Sequence, residues 1–545
     1  MRSIFTRFEM RIFEDKRLKY TALILITLFA AIIRLIWLDR LPCGIAEDEA
    51  YAAYNAYGLM TEGMDSWGYR YPVYCTAWSD GMNALYSYLV IPFFMLFGIN
   101  IFAYRFLQAL LGIICVPVAF LVGKEYEDER FGVFLAFVTA INPWQIVNNR
   151  WGLESNLAPG LTLIAVYFFI RALKNDGWQR LYLIFSAFFF GLTLYAYAFT
   201  WLIIPLFLLL CVSLWHKRLG INGYTIASAA LLFFMALPLV LFILVNKNIL
   251  PEISTAFISI PKMIGFRSEE LSPLNYFHNF MDMVKLLIFQ RDYFSQYISS
   301  KAGLFHKFTT PFYIFGIISC IYQWIKTRKD KTFRVEYIML LWLFAALMVC
   351  GAKTQVSTIH FNMVMFPLLF FSAYGIHRFC KLVESRWAFA FCILFYCVSF
   401  VFFARDYIED KATLAGTFYG DEADEVLDEA ERISDIWGES GRIEIVSRLD
   451  INYSILMWRL LPLPSDFSKN AVYAYGRENK DWFYLDSFAN YGYLDVESPG
   501  KIDEAECRNL KNTVFILKHS FDKRFEDMGY TVEHVNSTYS VAYLE

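Results

Sequence analysis

The sequence predicts an α-helical polytopic membrane protein with about 11 transmembrane helices and a C-terminal α/β domain outside the membrane. Composition is the first reason: 57% of the 545 residues are hydrophobic and 19% are charged, whereas soluble proteins have about 45–50% apolar and about 25% charged residues. The second reason is the order of the chain. Long apolar segments recur up to residue 404, and short amphipathic stretches replace them afterwards.

Eleven segments approach or reach the roughly 20 apolar residues that a helix needs to cross a bilayer core of about 30 Å. Lipid offers no hydrogen-bond partner to a backbone amide, so we expect each segment to be helical. The segments lie near residues 18–38, 105–123, 131–148, 157–173, 181–199, 201–215, 224–245, 305–325, 335–352, 360–377 and 387–404.

A further apolar stretch, "NALYSYLVIPFFMLFGI" from Asn83 to Ile99, is shorter and is interrupted by Pro92. We interpret it as a helix that lies in the membrane interface. If it were a span, the basic cluster that follows the eighth span would fall on the outer side, against the charge pattern of the other connections.

Lysine and arginine are concentrated in the N-terminal tail and in every second connection, which indicates that these parts are cytoplasmic. The basic residues include Arg2, Arg7, Arg11, Lys16, Arg17, Arg171, Lys174, Lys217, Arg218, Lys326, Arg328 and Arg378. We therefore expect a multi-pass protein of the cell membrane. Its parts are a cytoplasmic tail over 1–17, a membrane module over 18–404 with large outer loops at 39–104 and 246–304, and an extracytoplasmic domain over 405–545.

The region from 405 to 545 combines an acidic helix-like stretch, "DEADEVLDEAERISDIW", with the strand-like stretches "RIEIVS" and "TVFILK". Its length of about 140 residues is enough for a core of its own, which predicts a small α/β domain. Most of the ten cysteines lie in apolar segments. A disulfide between Cys43 and Cys75 stays open as an alternative to two free thiols.

Three consecutive acids, Glu47, Asp48 and Glu49, follow the first predicted span. Acids in the first turn of a helix interact favourably with its dipole, for about 0.3–1 kcal/mol, and this could explain one or two of them. Charge close to lipid is costly, which favours a chemical role for the triplet. Asp48 and Glu47 could also bind a divalent cation such as Mg²⁺ or Mn²⁺, although the sequence leaves the metal unknown.

Other charged residues are expected at the same outer level. Arg34 lies one turn from the outer end of the first span. The stretch "NPWQIVNNRWGLESN" brings Arg150 and Glu154, and "GAKTQVSTIHFN" brings Lys353 and His360. A carboxylate can accept the proton of a hydroxyl group, while cations stabilise the charge of a departing phosphate. The pattern suits a reaction between a hydroxyl and a phosphorylated, membrane-held substrate.

Each of these residues also has a structural interpretation. Arg150 and Lys353 could be anchors that extend to the membrane surface, and His360 could satisfy a neighbouring carbonyl. Glu154 could pair with Arg150, four residues earlier. A transporter or lipid flippase is the main alternative function. It is disfavoured because no convincing repeat is present and span centres such as "LILITLFAAI" carry no charge.

Several other functions find no support. The sequence has no GxGxxG or GxxxxGK[ST] stretch and no HExxH or paired-cysteine zinc pattern. The net charge of −3 does not favour nucleic acid as a partner.

The acidic motif followed by "AYAAYNAY" resembles the start of the GT-C membrane glycosyltransferases, in the branch of protein O-mannosyltransferases and lipid A aminoarabinose transferases. The stretches "PVYCTAWSDGMNALYSYL", "NPWQIVNNRWGLESN" and "HFNMVMFPLLFF" resemble bacterial family 39 glycosyltransferases. The resemblance covers roughly residues 18 to 404 and implies a GT-C fold.

The resemblance also implies an enzyme that moves a hexose or pentose from a polyprenyl-phosphate carrier to a glycan, lipid or protein acceptor on the outer face, with inversion. Asp48 takes the position of the general base, Glu49 that of its motif partner and Glu154 roughly that of a second acidic residue. The candidates for binding the donor phosphate are Arg34, Arg150, Lys353 and His360. The implied partners are the lipid-linked donor, the acceptor and membrane lipids.

Overall fold

The computed structural model describes residues 16–77, 81–174, 177–263, 273–291, 302–327, 333–349, 351, 356–413, 421–446, 451–473, 485–494, 496 and 498–544. Its α-helices are α1 (Lys16–Leu35), α2 (Glu47–Thr61), α3 (Leu85–Phe97), α4 (Ile101–Tyr126), α5 (Glu129–Ile141), α6 (Pro143–Asn149), α7 (Glu154–Lys174), α8 (Tyr182–Leu194), α9 (Thr200–Leu219), α10 (Gly223–Asn246), α11 (Pro273–Phe289), α12 (Thr310–Thr327), α13 (Val335–Val349), α14 (Met365–Val383), α15 (Arg386–Thr413), α16 (Asp421–Ser434), α17 (Tyr453–Leu460), α18 (Pro464–Asn470), α19 (Glu504–Asn509) and α20 (Asp522–Asp527).

All eleven predicted spans are helical, which confirms the predicted fold class. Among the described residues, eight helices are long and apolar enough to cross a membrane, and nine if α5 and α6 form one span with a bend of 58°. The two remaining predicted spans, α8 and α13, have 13 and 15 residues. They are shorter than the roughly 20 residues of a full crossing. Counted by length and composition, the described residues therefore contain fewer spans than the eleven predicted.

Large apolar side chains point outward from the long helices. The exposed fractions of Leu25 in α1, Leu209 in α9, Phe234 in α10 and Phe395 in α15 lie between 58% and 66%. A water-soluble surface rarely carries so many contiguous apolar residues. These faces are those that lipid would cover, and the protein is a multi-pass membrane protein.

Helices α12 and α14 cross at a pair of glycines. A Cβ atom on Gly375 would lie 1.9 Å from the carbonyl oxygen of Phe312, and one on Gly316 would lie 2.5 Å from that of Phe371. Small residues at a crossing let two backbones approach closely, as is common between membrane helices. Other extensive helix contacts join α7 to α8 and α1 to α5.

The strands form three sheets. They are β1 (Tyr74–Cys75), β2 (Met82–Asn83), β3 (Ile253–Ser254), β4 (Ser259–Ile260), β5 (Arg442–Ile445), β6 (Val472–Tyr473), β7 (Leu485–Phe488), β8 (Tyr491–Tyr493), β9 (Thr513–Lys518), β10 (Thr531–His534) and β11 (Tyr539–Tyr543). Strands β1 and β2 form one hairpin and β3 and β4 another. No disulfide joins Cys43 to Cys75.

The C-terminal region contains a seven-stranded sheet in the order β10-β11-β9-β5-β8-β7-β6. Its centre is parallel, since β5 pairs in parallel with both β8 and β9. Helix α16 packs against β9, β11 and β5. An apolar cluster also joins Phe515 and Leu517 of β9 to Phe525 of α20. Burial on both sides explains the uninterrupted apolar run of β9, and the predicted α/β region is confirmed.

The chain divides into two compact units. The helical unit comprises Met1–Leu38, Arg105–Val240 and Ser268–Ile408, and the sheet unit comprises Asp39–Tyr104, Leu241–Arg267 and Glu409–Glu545. The predicted membrane placement of 1–17, 18–404 and 405–545 stays a prediction. The sheet unit therefore contains two earlier segments of the chain, Asp39–Tyr104 and Leu241–Arg267, in addition to the C-terminal part.

Candidate active site

The acidic triplet forms the first turn of α2 in the sheet unit, and its three side chains have different surroundings. Glu49 is fully buried, and its carboxylate accepts a hydrogen bond from the backbone N–H of Ala46 at 3.2 Å. This is the acidic half of a capping box. Glu47 is half-buried, whereas Asp48 is exposed. The helix-capping interpretation therefore accounts for Glu49, and Asp48 is the acid whose carboxylate faces outward.

Helix α17, from the C-terminal region, packs against α2 beside these acids. The hydroxyl of Ser454 donates a hydrogen bond to the backbone carbonyl of Glu47 at 3.0 Å. The pKa of Tyr453 is raised well above its ordinary value, first because the side chain is buried. The neighbouring Tyr473 and then the carboxylates of Glu47 and Asp48 raise this pKa further. Tyr453 therefore lies close to the acids as a neutral phenol. Sequence reasoning missed this residue, because nothing near 453 marks it as a partner of residue 48.

The tyrosines that follow the triplet hold α2 in place. Tyr51 and Tyr54 are buried. The hydroxyl of Tyr51 donates to the backbone carbonyl of Thr76, and that of Tyr54 donates to the carbonyl of Pro462 at 3.0 Å. A buried hydroxyl requires such a partner. Helix α2 is thus held by hydrogen bonds to the loop at Thr76 and to the C-terminal region.

In the helical unit, Arg34 of α1 is fully buried. Its Nε donates to Oδ1 of Asn149 at 2.9 Å, and Nη1 donates to the carbonyls of Ala30 at 3.2 Å and Ala140 at 3.1 Å. The guanidinium group therefore joins α1 to the junction of α5 and α6. Asn149 itself needs Gly112 of α4, since a Cβ there would lie 2.0 Å from its Oδ1.

Arg150 is also buried, with an exposed fraction of 1%. Its Nη1 donates to the carbonyl of Ile33 at 2.8 Å, and its Nη2 donates to the carbonyls of Ile36 and Trp37 at 2.8 and 3.0 Å. These carbonyls belong to the end of α1, where a cation also meets the negative end of the helix dipole. The structure brings Arg34 and Arg150 to the same end of α1.

Asparagines of the stretch "NPWQIVNNRWGLESN" take part in a buried network of hydrogen bonds. Nδ2 of Asn156 donates to the carbonyls of Asn148 and Trp151 at 3.2 and 3.0 Å, and Nε2 of Gln108 donates to the carbonyl of Asn156 at 2.9 Å. Such networks fix a local conformation when their members are satisfied. The high frequency of asparagine and glutamine in this stretch of sequence could have predicted the network.

Glu154 begins α7 and is half-buried. Next to it, the carbonyl of Ser155 accepts a hydrogen bond from Nδ2 of Asn362 at 2.7 Å. The hydroxyl of Tyr197 lies 2.6 Å from Nδ1 of His360, and the two rings stack with planes 9° apart. The structure therefore connects the segments that carry Glu154 and His360. Lys353 lies outside the described residues.

The candidate residues fall into two sets. Glu47, Asp48 and Glu49 belong to the sheet unit, and Arg34, Arg150, Glu154 and His360 belong to the helical unit. In the part of the chain that the structure describes, one group of three or more metal-ligating side chains converges, and it consists of His519, Asp522 and His534. Glu47 and Asp48 do not belong to it.

The described part of the chain combines helices that are long and apolar enough to cross a membrane with an acidic turn at the start of α2 and a C-terminal α/β region. Residues 84–243 match the family model described as dolichyl-phosphate-mannose-protein mannosyltransferase. No curated protein matches the chain in sequence.

Solved structures show the same fold. ArnT from Cupriavidus metallidurans is similar over 95% of this chain and 97% of its own, with TM-scores of 0.58 in the apo state and 0.56 with undecaprenyl phosphate bound, at 11% and 12% identity. The oligosaccharyltransferase AglB from Archaeoglobus fulgidus, in complex with an inhibitory peptide and a dolichol-phosphate, is similar over 97% of this chain and 74% of its own, with a TM-score of 0.53 and 14% identity. The predicted resemblance to the GT-C superfamily is confirmed.

Proposed function

We propose that the protein is a membrane glycosyltransferase that moves a sugar from a polyprenyl-phosphate carrier to an acceptor hydroxyl on the outer face of the membrane. The observation that carries this proposal is the exposed Asp48 on a rigid first turn of α2, in a chain with the GT-C fold. The undecaprenyl phosphate bound to ArnT and the dolichol-phosphate in the AglB complex support the choice of donor.

In this reaction the acceptor oxygen attacks the anomeric carbon of the sugar while the bond from that carbon to the phosphate oxygen breaks. Asp48 accepts the proton of the acceptor hydroxyl, and the polyprenyl phosphate leaves with the electrons of the broken bond. Attack from the side opposite the phosphate inverts the anomeric configuration. Glu49 holds the backbone of the turn through Ala46 and so acts as a positioning residue for Asp48.

The charge of the departing phosphate needs donors that are in place before the reaction. We assign this task first to His360, held by Tyr197, and to Lys353. The guanidinium groups of Arg34 and Arg150 already donate to backbone carbonyls, so in the proposal they supply positive charge and fix the end of α1. Glu154 is the second acid and orients the acceptor or the donor sugar.

A divalent cation fits the first turn of α2 only in part. Carboxylate oxygens suit Mg²⁺ or Mn²⁺, and Glu47 and Asp48 could each provide one. Among the described residues these two acids belong to no converging group of three ligands.

We propose that the N-terminal tail is cytoplasmic and the C-terminal region lies outside, and the basic residues in alternate connections support this orientation. In this orientation α2 and α17 lie outside together, as parts of one compact unit. Nucleotide sugars are made in the cytoplasm, so an outer-face enzyme needs a lipid-borne donor. Glycans, lipids and proteins are all acceptors that offer the required hydroxyl.

The test is transfer of radiolabelled sugar from synthetic polyprenyl-phosphate sugars, both hexoses and pentoses, by purified protein in nanodiscs with membrane extract as acceptor. Wild type is expected to transfer one of these sugars, and Asp48→Asn is expected to reduce transfer by at least about 100-fold, the lower range of a general base's contribution. Asp435→Asn is a matched control, because Asp435 is an exposed aspartate in another part of the chain.

Equal transfer by wild type and Asp48→Asn would remove Asp48 from the mechanism. Unchanged Asp48→Asn activity together with a loss in Glu154→Gln would make Glu154 the base. Movement of a lipid-linked sugar across a sealed vesicle membrane, without a covalent product, would replace the proposal with a flippase.

A further inference from the structure

We propose that His519, Asp522 and His534 form a binding site for a transition-metal ion, best suited to Zn²⁺, at one edge of the C-terminal sheet. The three side chains come from different elements. His519 follows β9, Asp522 begins α20 and His534 ends β10. This site is independent of the proposed transferase activity and involves none of the residues assigned to it.

The three ligand atoms already converge. Nδ1 of His519 lies 3.2 Å and Nε2 of His534 lies 2.9 Å from the same Asp522 oxygen, Oδ2, and all three atoms are within 4.8 Å of one another. Zinc binds imidazole nitrogen at about 2.0–2.1 Å, so two tetrahedral ligand atoms lie about 3.4 Å apart. A metal ion can therefore enter with small side-chain movements.

The carboxylate of Asp522 is the second independent observation. Asp522 is only 8% exposed, and its other oxygen, Oδ1, is buried with no hydrogen-bond partner among the described residues. Buried polar atoms are nearly always satisfied, and an exception needs an explanation such as an ion. A metal ion held by this carboxylate compensates the charge that burial makes costly.

The contact of Nε2 of His519 favours the tautomer that a metal requires. Its Nε2 lies 2.9 Å from the carbonyl of Asn536, and since a carbonyl can only accept, Nε2 carries the proton. In the neutral ring, Nδ1 then directs its lone pair to the cluster. Metal-binding histidines commonly use such a carbonyl to set the ring. The carbonyl is itself fixed, because Oδ1 of Asn536 accepts from the N–H groups of Thr538 and Tyr539.

One group competes with the metal. The hydroxyl of Ser540 lies 2.7 Å from Nδ1 of His519, and it donates to the same lone pair when no metal is bound. Ser540 pairs directly with His534 across β10 and β11. Removal of this hydroxyl is therefore expected to leave the affinity for metal unchanged or to increase it.

The ligand set selects the metal. Two imidazoles and one carboxylate are typical of Zn²⁺ and of related transition metals, whereas Mg²⁺ and Ca²⁺ prefer oxygen ligands alone. His534 is largely exposed, so water can complete the coordination. An ion here would tie the end of β10 to α20 and to the end of β9, which makes a stabilising role the natural one.

The test uses full-length protein purified with a tag that contains no histidine, stripped with EDTA and titrated with Zn²⁺ by calorimetry and with Co²⁺ by visible absorption. We expect one equivalent of metal and a Co²⁺ spectrum of low coordination number. His534→Ala and Asp522→Asn are expected to weaken binding at least about tenfold. His216→Ala, which changes an exposed histidine elsewhere, and Ser540→Ala are expected to retain it.

The two variants address different risks. His534 is exposed, so its replacement leaves the core intact, and asparagine preserves the shape of Asp522. Metal binding that is unchanged in both variants would overturn the proposal, and so would the absence of binding to wild type. Binding that is lost in Asp48→Asn and retained in His534→Ala would place the metal at the acidic turn of α2, and would also overturn it.

Discussion

The ring of Tyr453 in α17 meets the ring of Tyr51 in α2 edge-on, with centroids 6.4 Å apart and planes at 80°. Both side chains are buried, with exposed fractions of 4% and 1%. Edge-to-face contact is a favoured geometry for aromatic pairs. The C-terminal region is therefore part of the structure that supports the acidic turn.

The first prediction follows from this contact. Tyr453→Ala is expected to destabilise the sheet unit by about 3–5 kcal/mol, as for other large-to-small changes of buried aromatics, and to reduce transfer. Tyr453→Phe retains the ring and is expected to cost much less. Amide hydrogen exchange of α2 in the two variants checks this. Equal protection of α2 in both variants would show that the ring of Tyr453 does not support the helix.

Glu49 yields the second prediction. Because its carboxylate accepts from the N–H of Ala46, Glu49→Ala is expected to destabilise the start of α2 by about 1 kcal/mol. Glutamine can fill the same place in a capping box, so Glu49→Gln is expected to preserve both stability and most of the activity. The measurement is sugar transfer alongside thermal unfolding. A Gln variant that is stable but inactive would instead give Glu49 a direct chemical role.

Much of the fold could be predicted from the sequence, because hydrophobicity determines which segments are helices in a membrane. The eleven predicted spans all proved helical, yet α8 and α13 proved shorter than expected. The end of α8 is marked by a local hydrogen bond from the N–H of Tyr195 to the carbonyl of Leu192. Hydropathy does not report such bonds.

The site was harder to predict, because a charge in the sequence does not reveal its partner. Arg34 and Arg150 stood out as cations on the outer side, and the structure places both against backbone carbonyls around the end of α1. The proximity of Tyr453 to Asp48 arises from contact between elements some 400 residues apart, and no local pattern records it. The role of each residue in transfer stays a prediction.

The third prediction concerns the crossing of α12 and α14. Gly375→Ala would place a methyl group 1.9 Å from the carbonyl oxygen of Phe312. We expect the helices to separate, at a cost of about 1–3 kcal/mol or more, and the melting temperature of the purified protein to fall. Gly223→Ala is the matched control, since a Cβ there meets nothing within 4 Å. Equal melting temperatures for the two variants would contradict the close approach of α12 and α14.

The last prediction is a pH dependence in the C-terminal sheet. Burial raises the pKa of Glu444 in β5 above its ordinary value, although Arg442 beside it opposes the shift. A carboxyl with a raised pKa in the folded state favours folding while it is protonated, below its unfolded pKa. That contribution is lost as the pH rises through the folded pKa. As the pH rises, the burial of the Glu444 carboxylate therefore becomes a cost to the sheet.

Glu444→Gln removes this cost, so we expect it to slow amide exchange of β5 at pH 7 and to lose that advantage near pH 4, about the ordinary pKa of glutamate. Glu429→Gln is the matched control with the opposite sign. Arg432 lowers the pKa of Glu429, so the contribution of this acid is present at neutral pH and is lost as the pH falls. If Glu444→Gln weakened β5 at pH 7, the ion pair with Arg442 would outweigh the burial of the carboxylate.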